Sequence, residues 1–171
     1  KGTLIAVGLL GSMSISMAQG DKASLQKTLN QYCGYTLKKD TAAIEKYILA
    51  NFSTDFKFII KNGPAMNRAD WMKQELLQIK MAEKITVMQI MITSFKRSGN
   101  IISAGYVVHF AATGKMDTKA AKASKMTFDG PGTMSLKVKG GKWWFIEIKD
   151  TGGKMTVDGK PFDPSTIAGG G

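Results

Sequence analysis

The apolar residues of this chain recur every three or four positions in its first half and close to every second position from Ile85 onward, a single change of period that admits few folds. Helices come first and strands follow, which is the order of an α+β domain rather than of alternating βαβ units. Helix one is expected from Asp21 or Ser24 to Lys38, with Leu25, Leu29, Tyr32, Cys33, Thr36 and Leu37 on one stripe. Asp40 is placed to cap a second helix over Thr41 to Asn51, whose stripe is Ile44, Tyr47, Ile48 and Phe52. Asp55 to Ile60 has strand composition and runs into Asn62-Gly63-Pro64, a turn signal that predicts a short hairpin. Asn67 to Asp70 resembles a capping box with Asp in place of Glu. It opens a third helix to about Glu83, predicted to bury Met72, Leu76 and Ile79, with Leu77 and Met81 widening the face.

The second half is β-branched and aromatic, and Ile85 to Lys96, Ile101 to Thr113, Met126 to Lys139 and Lys142 to Lys149 each exceed the usual strand length. Ser98-Gly99-Asn100 and Gly140-Gly141 are tight connections, so these strands form an antiparallel meander. Ile102, Ala104, Tyr106, Val108 and Phe110 share one face of the second long strand. Asp129-Gly130-Pro131-Gly132 interrupts the third, where Pro cannot donate to a ladder and Gly tolerates unusual φ. A bulge or bend is expected there. Trp143, Trp144, Phe145, Ile146 and Ile148 load both faces of the last strand, as in a central strand or one used in dimerisation. Residues 151–171 form a Gly-rich tail with a small hairpin expected over Met155 to Pro161.

With one Cys and one His, the chain has neither a disulfide framework nor the ligands of a zinc or copper site, and no metal or cofactor is expected. Cys33 lies on a helical apolar stripe and reads as a small core residue. Lys1 followed by an apolar run from Leu4, with Ser16-Met17-Ala18 supplying small residues, reads as a secretory signal over residues 1–18. The product is expected to be exported, periplasmic or extracellular. The net charge is +11, with Lys115, Lys119, Lys122 and Lys125 clustered in one connection and Lys137, Lys139 and Lys142 in one strand region. Arg is limited to Arg68 and Arg97, and no aromatics interleave the cluster, so nucleic-acid reading is excluded. A solvated lysine-rich surface is the simpler account, with peripheral contact to an anionic envelope surface as the alternative.

Lys39-Asp40 before the second helix, Tyr47 to Phe56, Asn62-Gly63, the third helix and Gly141-Lys142-Trp143 to Ile148 together resemble the nuclear transport factor two-like superfamily. Within it they resemble the SnoaL-like small bacterial proteins of unassigned function. The resemblance spans Asp21 to Asp150, so residues 19–150 are read as the domain. It implies three N-terminal helices packed in a strongly curved, mostly antiparallel sheet, a cone-like α+β barrel open at one end. Relatives hold small apolar ligands or an active site there, and homodimers through the sheet are frequent. Steroid isomerases of the superfamily use a Tyr of helix one, matched by Tyr32 or Tyr35, but no acidic pair matches here. Relatives acting as dehydratases or cyclases use His with Asp, which points to His109 as base and Asp55 as its acid.

The leading expectation is therefore an exported cone that binds a small apolar or amphipathic molecule. Tyr35, Met72, Leu76, Met88, Tyr106, Phe110, Met126, Met134 and Trp144 are the expected pocket residues, with Met91 a further thioether candidate. The alternative is a cofactor-independent lyase or isomerase working through His109, Asp55 and Tyr32. His109 has a simpler reading as a hydrogen-bonded strand residue, Glu147 as the cross-strand partner of a lysine, and Asp129 as a turn former.

Overall fold

The computed structural model of the chain describes residues 10–61, 63–115 and 122–162, and side chains from residue 21 on. Residues 1–9 of the expected leader, Asn62, Lys119 and residues 163–171 of the Gly-rich tail lie outside that description. The elements are α1 (Leu10–Leu37), α2 (Thr41–Asn51), β1 (Phe52–Ile59), β2 (Ala65–Asn67), α3 (Arg68–Met81), β3 (Ala82–Ser98), β4 (Ile101–Gly114), β5 (Ser124–Lys139), β6 (Lys142–Asp150), β7 (Lys154–Val157) and β8 (Lys160–Phe162). Among the described residues, no helix is long and apolar enough to cross a membrane.

Helix α1 begins ahead of the caps expected for it. Asp21 lies inside the helix and pairs with Arg97 at the end of β3. Its far end closes on Lys39, which takes a left-handed φ of 56° so that α2 can start at once. Asp40 caps α2 by accepting from the Ala43 amide at 3.0 Å, and the predicted stripe of Ile44, Tyr47, Ile48 and Phe52 is buried. Asn67 caps α3 by accepting from the Asp70 amide at 2.9 Å, while its own amide donates to the Asp70 carboxylate at 2.7 Å. The face that α3 buries keeps the predicted Ile79 and adds Trp71. Trp71 and Ile79 are buried, Met72 and Leu76 are half-buried, and Leu77 is exposed.

The eight strands form one sheet in the order β2-β1-β6-β5-β4-β3, with β7 paired to β5 and β8 to β7. All pairs are antiparallel except β1 with β6, so the sheet is mixed and mostly antiparallel. Register shifts near Ala82, Ile85 and Ile92 in the β3–β4 ladder let this long pair bend around α1. The expected bulge at Asp129-Gly130-Pro131-Gly132 does not form, because β4 and β5 pair without a shift from Ile101–Lys137 to Gly114–Ser124.

The glycines there answer to neighbouring rings instead. A Cβ on Gly132 would lie 2.3 Å from the Tyr106 ring, and one on Gly130 would lie 2.6 Å from the Phe128 ring. Pro131 sits where β5 changes partner, since β6 pairs with Gly132 to Lys139 and β7 with Met126 to Asp129. Its carbonyl accepts from the Thr151 amide and hydroxyl, which anchors the connection to β7.

The core lies between the helices and one face of the sheet. At its centre Phe52 stacks on Trp71 (5.1 Å between ring centroids) and on Phe145 (4.7 Å), with Phe56 edge-on at 4.8 Å. Cys33 is buried, as its stripe predicted.

Candidate functional site

Strand alternation combined with the observed register sorts the sheet into an inner face, toward the helices, and an outer face. Ile85, Met88, Ile90 and Ile92 on β3 share the inner face with Ile102, Ala104, Tyr106, Val108, Phe110 and Ala112 on β4, and with Met126, Phe128, Met134 and Leu136 on β5. Burial varies along this face. Ile102, Ala104 and Leu136 are closed off under the helices. Met88, Ile90, Val108, Phe110, Met126 and Phe128 are only half-buried, while Ile85 and Ala112, nearer the connection between β4 and β5, are buried again. Apolar side chains on a concave surface that the protein's own helices leave partly uncovered are the ordinary lining of a small-molecule site.

Two polar pairs stand on the helix side and at the border of this surface. The Tyr32 hydroxyl of α1 donates to Oε1 of Glu75 on α3. Part of the Glu75 side chain reaches solvent, but burial around its carboxyl raises the pKa, and the bond from Tyr32 partly offsets the rise. Burial likewise holds the Tyr32 phenol well above its usual value, with the Glu75 charge adding to the effect. Tyr106 faces Asp150 across Gly132, since the three share one row of the sheet. Burial raises the Tyr106 phenol and the Asp150 charge raises it further. Both phenols therefore stay protonated, and that of Tyr32 donates, while Glu75 holds its proton to a higher pH than a solvated Glu. Burial also pushes the Cys33 thiol up, and the Ile90 backbone beside it partly offsets this. Among the described residues, no cluster of His, Cys, Asp and Glu could hold a metal ion.

The residues proposed for catalysis are not brought together. His109 lies on the outer face, where its Nδ1 pairs with Asp129 of β5, and both side chains are substantially exposed. Asp55 is exposed and accepts from Ser53; that bond, with Lys137 and Lys57 nearby, lowers its pKa. Tyr32 alone points inward. Asp129 is thus a strand residue and an imidazole partner rather than a turn former. Glu147 sits opposite Lys57 in the β1–β6 ladder.

Of the expected pocket residues, Met88, Phe110 and Met126 line the half-covered inner surface, and Tyr35, Met72 and Leu76 pack half-buried on the helix side. Tyr106 is inward but almost fully covered, and Met134 is closed in the core. Trp144 is a correction: it shares a row with Lys137 on the outer face, and the Lys142 ammonium lies 4.3 Å from its ring centroid. Met91 is also outward and exposed. Sequence reasoning missed Glu75, whose signal was the spacing of four in Trp71, Glu75 and Ile79. It also missed Ile90 and Phe128 as floor residues.

An α+β cone with helices laid on the inner face of a curved sheet is a recurrent architecture, and comparison with solved structures gives it a name. A nuclear transport factor two-like protein from Cytophaga hutchinsonii is similar with a TM-score of 0.55 at 10% identity, covering 75% of this chain and 95% of its own. A superfamily protein of that name from Salmonella enterica serovar Typhimurium gives a TM-score of 0.56 at 13% identity, covering 77% and 89%. A conserved protein from Planctomyces limnophilus gives 0.61 at 9% identity, covering 77% and 94%. No family model matches the sequence, and no curated protein does. The chain has the nuclear transport factor two-like fold, and at these identities the likeness is one of fold alone.

Proposed function

We propose that this protein binds a small apolar or amphipathic molecule on the half-covered inner surface of its sheet, without performing chemistry on it. The observation that carries this reading is the half-burial of Met88, Val108, Phe110, Met126 and Phe128 on the inner face, between the buried Ile102 and Ala104 on one side and the buried Ile85 and Ala112 on the other. The half-buried side chains give up solvent only if something else covers them, and each fully buried apolar side chain is worth about 1.5–3 kcal/mol. The lyase or isomerase reading needs an inward His109, and the pairing of that side chain with Asp129 on the outer face counts against it. Export through residues 1–18, and the finer likeness to SnoaL-like proteins, belong to the same proposal and rest on the sequence.

The test is fluorescence enhancement of the neutral apolar dye phenylnaphthylamine by the purified chain, repeated with Val108→Arg. Saturable binding that the substitution abolishes is the expected result. No saturable binding, or binding indifferent to Val108→Arg in a variant that melts cooperatively, refutes the proposal.

A further inference from the structure

The register carries the inner surface further than the meander itself. Met88 pairs with Phe110, Phe110 with Phe128, Phe128 with Met155 and Met155 with Phe162, so one row of the ladder crosses β3, β4, β5, β7 and β8. All five side chains are half-buried. Directly paired residues of adjacent strands share a face, and the hydroxyl bond between Thr127 and Thr156 at 2.7 Å confirms the alternate, outer row. The row spans about 19 Å of contour, four inter-strand spacings of about 4.8 Å. Beside it run Ala112, Met126 and Val157, and that second row ends on Lys160.

On edge strand β8, Lys160 is exposed and shares the inner face with Phe162, two residues on. The nearest acid in sequence, Asp158, accepts from the Lys125 amide at 2.8 Å. Lys154 lies on the outer row opposite Asp129. An apolar row of this length with an exposed lysine ammonium at its outer end matches an elongated molecule with an anionic head.

Building on the binding reading above, we propose that the ligand class is a long-chain anionic amphiphile, its chain along the row from Phe162 to Met88 and its carboxylate or equivalent head at Lys160. The β7–β8 hairpin is what makes the row long enough, by adding two strands to the inner surface. The ammonium sets the polarity of entry, head outward and tail toward α1.

The experiment displaces bound phenylnaphthylamine from the full chain with hexadecanoate, octanoate and hexadecanol, each below its aggregation threshold. Hexadecanoate is expected to outcompete octanoate by about tenfold or more, because longer chains bury more methylenes. It should outcompete hexadecanol by about two- to fivefold, the range of an exposed charge pair. Lys160→Glu removes the second preference and keeps the first, and Met155→Asp removes the first. Equal displacement by all three compounds, or an acid preference that survives Lys160→Glu, overturns the inference while leaving the general binding reading intact. Failure of the dye itself to bind sinks both. A chain that binds hexadecanoate only after residues 163–171 are removed carries its own segment on the row, which also overturns the inference.

Discussion

Replacing Tyr32 by Phe isolates a hydrogen bond that ties α1 to α3. The ring stays, so packing against Tyr47, whose centroid is 5.5 Å away, is preserved. What is lost is the donor to Glu75. A hydrogen bond to a charged group contributes about 1.5–3 kcal/mol, and a buried acceptor left without a partner costs about as much. A loss of about 2 kcal/mol in a chain of this size lowers the melting temperature by about 4–8 °C. The pH dependence gives the sign. A carboxyl with a raised folded-state pKa keeps its proton where the unfolded chain has released it, so stability falls as pH rises from the ordinary Glu range through the raised value. Tyr32 moderates that fall by stabilising the anion, and without it the fall steepens. Thermal melts followed by circular dichroism should show a gap between wild type and Tyr32→Phe that widens from about pH 4 to about pH 7.5, across the range where a Glu carboxyl ionises. In Glu75→Gln, which does not titrate, stability should lose this component of its pH dependence. A gap that is absent at the higher pH, or that narrows as pH rises, would refute the reasoning.

Gly132→Ala should destabilise by about 1–3 kcal/mol, because its methyl would lie 2.3 Å from the Tyr106 ring, whereas Gly34→Ala in α1 meets nothing within 4 Å and should gain about 0.5–1 kcal/mol. Urea midpoints of the two variants check the contrast, and equal shifts would contradict it. His109→Ala should move the melting temperature little, because exposed pairs are worth about 0–1 kcal/mol. It should also leave dye binding unchanged, and a lost dye signal would mean that the face assignment is wrong. Asn67→Ala removes the cap of α3 and should cost about 1 kcal/mol, read as a lower urea midpoint with Asn67→Ser close to wild type.

Where a segment's structure follows from its own residues, the sequence is a sufficient guide. Ile44, Tyr47, Ile48 and Phe52 repeat at helical spacing behind an Asp cap, and all four are buried. The tail hairpin forms over Lys154 to Phe162, with Asp158 and Gly159 both at positive φ, as a two-residue turn demands. The legible part ends where a residue's reason lies far along the chain. Glu75 in an apolar stripe reads as misplaced until Tyr32, 43 positions earlier, is brought to it. Gly130 and Gly132 look like a backbone device and are clearances for the Phe128 and Tyr106 rings. The site splits the same way: alternation sets His109 opposite Tyr106 and Phe110, but which of the two faces turns toward the helices, and so the outward turn of His109 and Trp144, depends on how the sheet packs.

The length of β5 links the fold to the proposed ligand. It has 16 residues, β6 has nine and pairs only with the second half, and the first half would present an open edge beside half-buried Met126 and Phe128. Open apolar edges invite pairing with other chains. This chain closes its edge with its own next segment. Thr151 is fixed to the Pro131 carbonyl, Gly152 takes a φ of 106°, and Gly153 passes so close that a Cβ would lie 2.7 Å from both the Asp129 carbonyl and the Phe128 ring. The Gly-rich stretch after the meander is therefore a tight crossing that delivers β7 onto β5. Closing the edge in this way also adds Met155 and Phe162 to the inner row, so the hairpin that protects β5 is the one that lengthens the apolar surface and places Lys160 at its end.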